Sequence, residues 1–419
     1  MIKPLQPIKP TKLTLLLLLS IFSLSEVLGQ SSFTFDFDGR IQLSPYQYDY
    51  PDGNKVTIEI APDLLLEGRN SLGPDSELLY RLGGNLLYSR YDEFQGNLTD
   101  IVVELRIGQN QPTAVDLIFG RQIFSDPIGN ILSQGLDGIN ATLLVDDTFE
   151  AHVGVGYLGL FPASYSNAQL SDDEVENPTE WGSAPDRLFV IGDASFFPAP
   201  TVSLGLHGGL QIDLQENAST YDYTSWYVGI DSVGILVPDA PPELEYRAQV
   251  SLGAGPSNED MAAAPGIFLS NYWSVLIPGT FSTGEVEIGA DFASGEGDIG
   301  GFSAFSIMPQ GEFFRGGLDE IFSLSWRVGW NPLINLDDSI WLRNTNIYLS
   351  GKHFWNTSES ARTISRRQTA GGEDFGHELS IGFSTSLLSD FTIEGIIGGL
   401  FKGTEDVRWF SKMTLSLLF

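Results

Sequence analysis

Val407-Arg408-Trp409-Phe410-Ser411-Lys412-Met413-Thr414-Leu415-Ser416-Leu417-Leu418-Phe419 ends the chain, and its reading decides the rest. Successive side chains on a strand point to opposite faces. Val407, Trp409, Met413, Leu415, Leu417 and Phe419 therefore share one face, and Arg408, Lys412, Thr414 and Ser416 the other, with Phe410 and Leu418 as exceptions. An amphipathic strand of this kind fits the edge of a water-soluble sheet or the wall of a membrane-spanning one. The remainder of the chain has to separate the two.

The N-terminus does so first. Lys3, Lys9 and Lys12 precede an apolar run from Leu13 to Leu24, and Val27-Leu28-Gly29 offers small-residue spacing before Gln30. That pattern is a secretory signal peptide over 1–29, leaving 30–419 as the mature domain. The apolar run is too short to cross ~30 Å of hydrocarbon as a helix, and no later segment is long enough either. No Cys is present. Disulfides, thiolate chemistry and a cysteine-linked lipid anchor are thereby excluded. After a signal peptide, the terminal stretch resembles the closing strand of a bacterial outer-membrane β-barrel. The resemblance implies that Trp409, Leu415, Leu417 and Phe419 form the signal read by the barrel-assembly machinery.

Forty-six Gly, 12% aromatic residues and only 18% charged residues suit a chain of strands and turns. No linker, low-complexity spacer or fixed-period repeat divides it. The formal charge is −32, and losing Lys3, Lys9, Lys12 and Glu26 with the signal peptide makes the balance more negative still. Such a field repels nucleic acid and favours cations, and it equally suits solvation in a saline habitat.

Period-2 alternation recurs along the chain, as a barrel wall requires. Phe33, Phe35, Phe37, Ile41 and Leu43 oppose Thr34, Asp36, Asp38, Arg40 and Gln42. Val202, Leu204, Leu206, Leu210 and Ile212 oppose Ser203, His207, Gln211 and Asp213. The same pattern recurs around 244–254 and 377–387. Nineteen segments alternate, the first at 33–44 and the last three at 376–387, 391–402 and 405–419. Single-chain bacterial barrels have an even number of strands. Placing the long segments 161–185, 255–265 and 356–375 at one end removes the weak strand 301–308 and makes 293–319 a loop that can fold into the pore. The expectation is an all-β, transmembrane antiparallel barrel of eighteen strands, with sixteen or twenty as the neighbouring even counts.

Such a barrel encloses water, and its inward charges set selectivity. Parity nominates Asp36, Asp38, Arg40, Arg81, Glu104, Arg106, Asp116, Asp213, Glu245, Arg247, Glu285, Glu287, Asp291, Glu378, Glu394, Arg408 and Lys412. Each also reads as a solvated wall position that binds nothing. Catalysis has little support. The four His stand at 152, 207, 353 and 377, outside any zinc helix motif, and no nucleophile-elbow serine is present. A Ser-His-Asp arrangement assembled across strands stays open, since such sites are defined by geometry. Asp172, Asp173, Glu174 and Glu176 supply hard oxygen ligands for Ca²⁺ but read more simply as a solvated acidic loop. No metal or other cofactor is expected.

Several stretches resemble the alginate-export family of bacterial outer-membrane porins. Gly120, Arg121 and Gln122, followed by Asp137 and Gly138, are similar to its Gly-Arg-Gln and Asp-Gly hairpin pairing. Gly316-Gly317-Leu318-Asp319 is similar to its Gly-x-x-Asp loop end, without the usual His. His353-Phe354-Trp355 and Gly376-His377-Glu378 are similar to its strand ends near the C-terminus. The resemblance implies an eighteen-stranded porin and an inward Arg121 that contacts anionic solute. By parity Arg121 instead shares a face with Val115, Leu117, Phe119 and Ile123. The functional expectation is an outer-membrane channel of a Gram-negative-type bacterium, set in outer-membrane lipid and passing small hydrophilic solutes, with cation preference. A non-conducting barrel serving as a surface adhesin or structural anchor is the alternative.

Overall fold

The computed structural model describes residues 36–50, 53–89, 95–158, 184–214, 221–236, 242–255, 257–258, 265–278, 283–294, 302, 304–305, 321–332, 344–357, 374–388, 391–402 and 406–418. The expected signal peptide, the acidic loop around Asp172, Asp319 and Phe419 lie outside them. Eighteen strands build one antiparallel sheet. They are β1 (Asp36–Tyr50), β2 (Gly53–Gly73), β3 (Ser76–Ser89), β4 (Gln95–Ile107), β5 (Thr113–Ser125) and β6 (Ser133–Val145). Next come β7 (Phe149–Tyr157), β8 (Arg187–Ala199), β9 (Val202–Asp213), β10 (Ser225–Ile235), β11 (Glu243–Ala254) and β12 (Gly266–Pro278). The last six are β13 (Thr283–Ala293), β14 (Ile321–Asn331), β15 (Asn346–Asn356), β16 (Asp374–Leu388), β17 (Phe391–Lys402) and β18 (Asp406–Leu418). A two-residue pair, Tyr221–Asp222 with Ser257–Asn258, stands apart.

Each strand pairs with its neighbour in sequence, and β1 also pairs with β18, Ile41 opposite Leu417 and Tyr48 opposite Phe410. Connections after odd-numbered strands include the long ones at 158–186 and 294–320. Those after even-numbered strands are short, apart from 332–345. In that exception β15 begins at Asn346. The first strand differs from the expected one, running through Pro45 to Tyr50 rather than turning after residue 44. Pro45 has no N–H to donate. It pairs with Ile58 on β2, and the pairing to β18 skips it between Leu43 and Tyr46, so no ladder bond is lost there.

The two faces differ in chemistry. On the outer face stand Ile123, Ile139, Leu206, Ile230, Ile288, Val328 and Trp409, with Ile123 70% exposed. Exposure of so many large apolar side chains fits a lipid-facing wall and not a water-facing one. Aromatic residues gather on this face near the long-loop end, where Phe322 stacks on Trp355 and His377 stacks on Phe401. On the inner face, side chains of β5 to β15 meet two inserted pieces of chain.

The first piece is 126–132. Asp126 closes it on itself, its Oδ1 accepting from the backbone N–H groups of Ile131 (2.9 Å) and Leu132 (2.8 Å). The second includes Phe302, Ala304 and Phe305. Phe302 stacks on Phe268 at 5.4 Å, and Phe305 meets Phe189 at 6.1 Å and Tyr227 at 5.0 Å. With Phe124, Leu136, Ile321 and Phe354 they form a buried cluster inside the sheet. Glycine makes the room. Phe124 and Leu136 lie over Gly154 and Gly156 of β7, where any Cβ would approach within 2.6 and 2.7 Å of them.

Candidate functional site: the inner face of the sheet

One sector, β2 to β5, presents a chain of alternating charge. Arg81 donates from Nε to Glu67 at 2.9 Å and stands 3.9 Å from Glu104. Glu104 also accepts from Arg106, whose Nη1 reaches Glu77 at 3.2 Å, and Glu77 in turn meets Arg69 at 3.2 Å. Asp116 is opposite Arg106 in register. Three arginines and three glutamates thus run Glu67–Arg81–Glu104–Arg106–Glu77–Arg69. Cross-strand neighbours on one face bring them together, because β2–β3 and β3–β4 place Glu67, Arg81 and Val102 in one row and Glu77 and Arg106 in another. A cavity of the wall opens here, lined by Glu67, Arg69, Tyr80, Arg81, Glu104 and Arg106.

A second sector, β12 to β16, centres on Asp291. Its carboxylate accepts from Ser270 (2.8 Å), Tyr272 (2.5 Å) and Ser323 (3.3 Å), with Lys352 Nζ at 3.5 Å. Asn130 of the inserted segment donates to Ser270 at 3.1 Å. Asp291 is 1% exposed, so it works as a hub of bonds within the wall. Lys352 stands opposite the buried Glu378 in register. Glu285 and Glu287 share the inner face with Asp291 farther along β13 and are only half-buried. Glu287 is opposite Arg327, whose guanidinium lies 4.4 Å over the Tyr348 ring.

A third constellation joins β9, β10 and β11. His207 Nδ1 lies 2.8 Å from Asp231 Oδ1, and its Nε2 lies 3.1 Å from Ser251 Oγ and 3.1 Å from Gln249 Nε2. Gln249 Nε2 also donates to Asp126 Oδ2 at 3.3 Å. Gly229 and Gly205 permit this, since a Cβ at either would fall 2.2 Å from Ser251 Oγ or 2.3 Å from Asp231 Oδ1. The order Ser251–His207–Asp231 is that of a hydrolytic triad. Ser251 is 1% exposed and lies beside the Gln249 amide that reaches the inserted segment, so a scissile carbonyl has no approach within ~3 Å. The bonds tie strands and segment together instead.

Of the residues nominated from the sequence, Arg81, Glu104, Arg106 and Asp116 fall together in the first sector, and Asp291 and Glu378 in the second. Asp213 is at the end of β9, opposite Arg187. Glu245 and Arg247 are exposed on the inner face of β11, as is Glu394 on β17, and Arg408 and Lys412 of β18 are half-buried there. Asp36, Asp38 and Arg40 occupy register positions opposite Glu67, Leu65 and Asp63.

The family-motif residues behave differently. The register through Arg121 carries no shift, so it keeps an outer-face position beside Phe119 and Ile123. Its guanidinium is held by Asp137, Nε at 3.0 Å and Nη2 at 2.8 Å. Gly120 beside it, at φ +112°, is opposite Gly138, and a Cβ there would fall 1.9 Å from the Ile101 carbonyl oxygen. Gln122 is buried on the inner face. His353 and His377 face outward, stacked at 5.7 Å among the aromatics. Trp409 is 55% exposed on the outer face with Met413, and Leu415 is half-buried; Leu417 stands opposite Ile41 and Phe391 in register.

Sequence reasoning missed three features: the buried Arg187 set 3.9 Å over the Tyr223 ring, the His152–Asp193 pair at 2.7 Å, and the role of Asp126. Alternation was the only signal for the first two, and a seven-residue connection gave none for the third.

No protein-family model and no curated protein matches the sequence. The alginate-export resemblance therefore rests on short motifs that no family match supports. Solved structures do match in fold. The outer membrane protein OpdK of Pseudomonas aeruginosa aligns with a TM-score of 0.60 at 12% identity, over 92% of this chain and 98% of that one. OccK5 (OpdH) of the same organism gives 0.59 at 12% identity over 92% and 98%, and OpdO gives 0.58 at 13% over 91% and 96%. These chains share an antiparallel all-β architecture with the present one over the aligned lengths.

Proposed function

We propose that this chain is a closed, eighteen-stranded transmembrane barrel in the outer membrane of a Gram-negative-type bacterium, and that it conducts small hydrophilic solutes by diffusion. The observation that carries the reading is the opposition of the two faces, with Ile123, Ile230 and Trp409 outward and the Glu67-to-Arg69 chain of charges inward. Lipid suits the first face and water the second. The likeness in fold to the outer membrane protein OpdK supports the setting. The barrel-assembly machinery would insert it, with the alternation of Trp409, Leu415 and Leu417 as the feature that supports this part of the reading. Inner carboxylates that have no arginine partner among the described residues, Glu285 and Glu394 among them, favour cations over anions. The reading includes neither alginate as solute nor a reaction at Ser251, nor any cofactor or nucleic acid.

The packed cluster at Phe302 and Phe305 favours the second reading, a barrel sealed to flow that serves as an anchor or adhesin. Single-channel recording on purified protein in planar bilayers separates the two. Discrete conductance steps that grow with KCl concentration are expected. A folded barrel that inserts and yet passes no current would leave the anchor as the function.

A further inference from the structure

We propose that the inner face of β15 to β18 and of the adjoining β1 carries a stacking stripe for neutral saccharides. The inference rests on the channel reading and gives it a solute class. It starts from Tyr46-Gln47-Tyr48-Asp49-Tyr50, three tyrosines two residues apart at the end of β1. Alternation puts their three positions on one face, about 7 Å apart. Register fixes which face. Tyr48 is opposite Phe410 of β18, which is buried on the inner face, while Trp409 beside it points outward and is 55% exposed. The pairing with β2 runs through Tyr46 to Tyr50 without a shift, so all three positions are inner ones. The aromatic girdles of a barrel face lipid. These positions do not, so anchoring in the membrane leaves them unexplained.

Two register rows lead to them across the wall. One runs Ser350, Ser380, Gly398, Phe410 and Tyr48. Its neighbour runs Tyr348, Gly382, Ile396, Lys412 and Tyr46. In both rows an aromatic ring is laid across a glycine of the neighbouring strand. A Cβ at Gly398 would fall 2.8 Å from the Phe410 ring, and one at Gly382 would fall 2.2 Å from that of Tyr348. Rings held this way lie along the wall and make a low floor. Arg327 already stacks over Tyr348 at 4.4 Å, which takes that platform and bounds the stripe on the β14 side. Beyond the floor, the Ser350 and Ser380 hydroxyl oxygens stand 2.7 Å apart.

A saccharide suits both parts. Its ring has a face of C–H groups and a rim of hydroxyls. The negative face of a tyrosine ring attracts such C–H groups, and its polar tip tolerates water. Serine hydroxyls donate and accept alike, so the pair can exchange its mutual bond for bonds to solute hydroxyls. Ser380 and Tyr48 are three strand spacings apart, about 14 Å. An oligosaccharide reaches both ends, and a monosaccharide only one.

The charges nearby are mixed in sign. Lys412 of β18 and Glu394 of β17 occupy diagonal positions on the inner face, and on β2 Lys55 is opposite Tyr48. A simple ion gains little from such a mixture, whereas stacking and hydroxyl contacts ask for no charge. β1 ends at Tyr50, at the end of the sheet that carries 158–186 and 294–320, so the stripe begins at that mouth.

The experiment is ion-current recording on the full chain in planar bilayers, with maltotriose as the probe. Maltotriose should block the current reversibly, and glucose should block it less at equal concentration. Tyr48→Ala should raise the half-blocking concentration about tenfold, the upper range for one aromatic contact. Tyr48→Phe, which keeps the ring, should stay within about twofold of wild type. Gln47→Ala, at an outer position, should change nothing. Migration on an unheated denaturing gel shows which variants are folded, and only those are compared. The block should be equal at about 0.1 M and about 1 M KCl, since screening does not act on an uncharged solute. Maltotriose that leaves an open channel's current unchanged, or a block that Tyr48→Ala does not weaken, overturns the stripe and leaves the channel standing. A block that fades steeply with salt overturns the neutral class and assigns recognition to the lysines. Absence of any current in wild type overturns the channel reading itself.

Discussion

The β2–β5 sector and the β7–β12 sector occupy the same inner face and solve opposite problems. In the first, charged side chains stay at the surface of the wall and neutralise one another in a row, Glu67 to Arg69. In the second, the wall carries Gly209 and Gly253, where a Cβ would fall 3.1 Å from the rings of Phe305 and Phe302, and folded-in chain fills the space with aromatic side chains. A barrel of this strand number leaves an aqueous lumen unless something fills it. On the proposed channel reading, filling one side and charging the other would put the path along the ionic wall. The asymmetry is set by side-chain size. Gly209 and Gly253 let the Phe305 and Phe302 rings approach the backbone, while the β2–β5 sector carries long arginine and glutamate side chains.

Removing the filling should break the contrast most strongly. Phe302→Ala with Phe305→Ala deletes two rings that contact Phe268, Phe189 and Tyr227. Each such truncation costs roughly 3–5 kcal/mol when the site cannot collapse. The variant should convert from its fast-migrating folded form on an unheated denaturing gel at a distinctly lower temperature than wild type. It should also conduct more, since the packed side then admits water. Unchanged conductance together with a lowered conversion temperature would show that the cluster stabilises the barrel without narrowing it.

The charged side is tested at its middle. Glu104 is 7% exposed and is shared by Arg81 and Arg106. In Glu104→Gln each arginine keeps one carboxylate, Glu67 or Glu77, but the row of three and three becomes three and two. The wall gains net positive charge, so the reversal potential in a KCl gradient should move toward the chloride value. Selectivity identical to wild type would mean that ions do not pass along this sector.

Much of the architecture was legible because alternation is a property of each strand by itself. Leu204, Leu206 and Leu210 against His207 and Gln211 declare two faces without reference to any partner, and the sheet sorts them so. Boundaries were less legible, as at the first strand, expected over 33–44 and running to Tyr50. Pro45 continues β1 because the bond it cannot donate is one the β18 pairing does not use there. The site was the least legible part. Asp291 was nominated as an open lumen charge, and its parity is indeed inward, but three hydroxyls and Lys352 surround it. Asp126 and Gln249 are 123 residues apart in sequence. No local pattern encodes such a contact; it depends on how a short connection crosses the enclosed space.

The smallest effect is expected on β13, beyond Asp291. Glu285 and Glu287 are inner-face carboxylates nearer the short-turn end, where 279–282 joins β12 to β13. Among the described residues Glu285 accepts a long bond from Ser274, at 3.5 Å, and Glu287 shares its row with Arg327, which is drawn over the Tyr348 ring. Both carboxylates therefore retain field for a passing ion, in contrast with the compensated row on β2–β5. Wild type should be cation-preferring in a KCl gradient. Glu285→Gln with Glu287→Gln should reduce that preference without abolishing it, because Glu245 and Glu394 are also exposed on the inner face. Salt should blunt the difference between the two proteins, since the Debye length falls from ~10 Å at 0.1 M to about 3 Å at 1 M. Anion preference in the wild type would assign control to Arg69, Arg81 and Arg106 in spite of their partners. A double mutant that keeps the wild-type potential would clear β13 and leave the exposed acids of β11 and β17 as the source of selectivity.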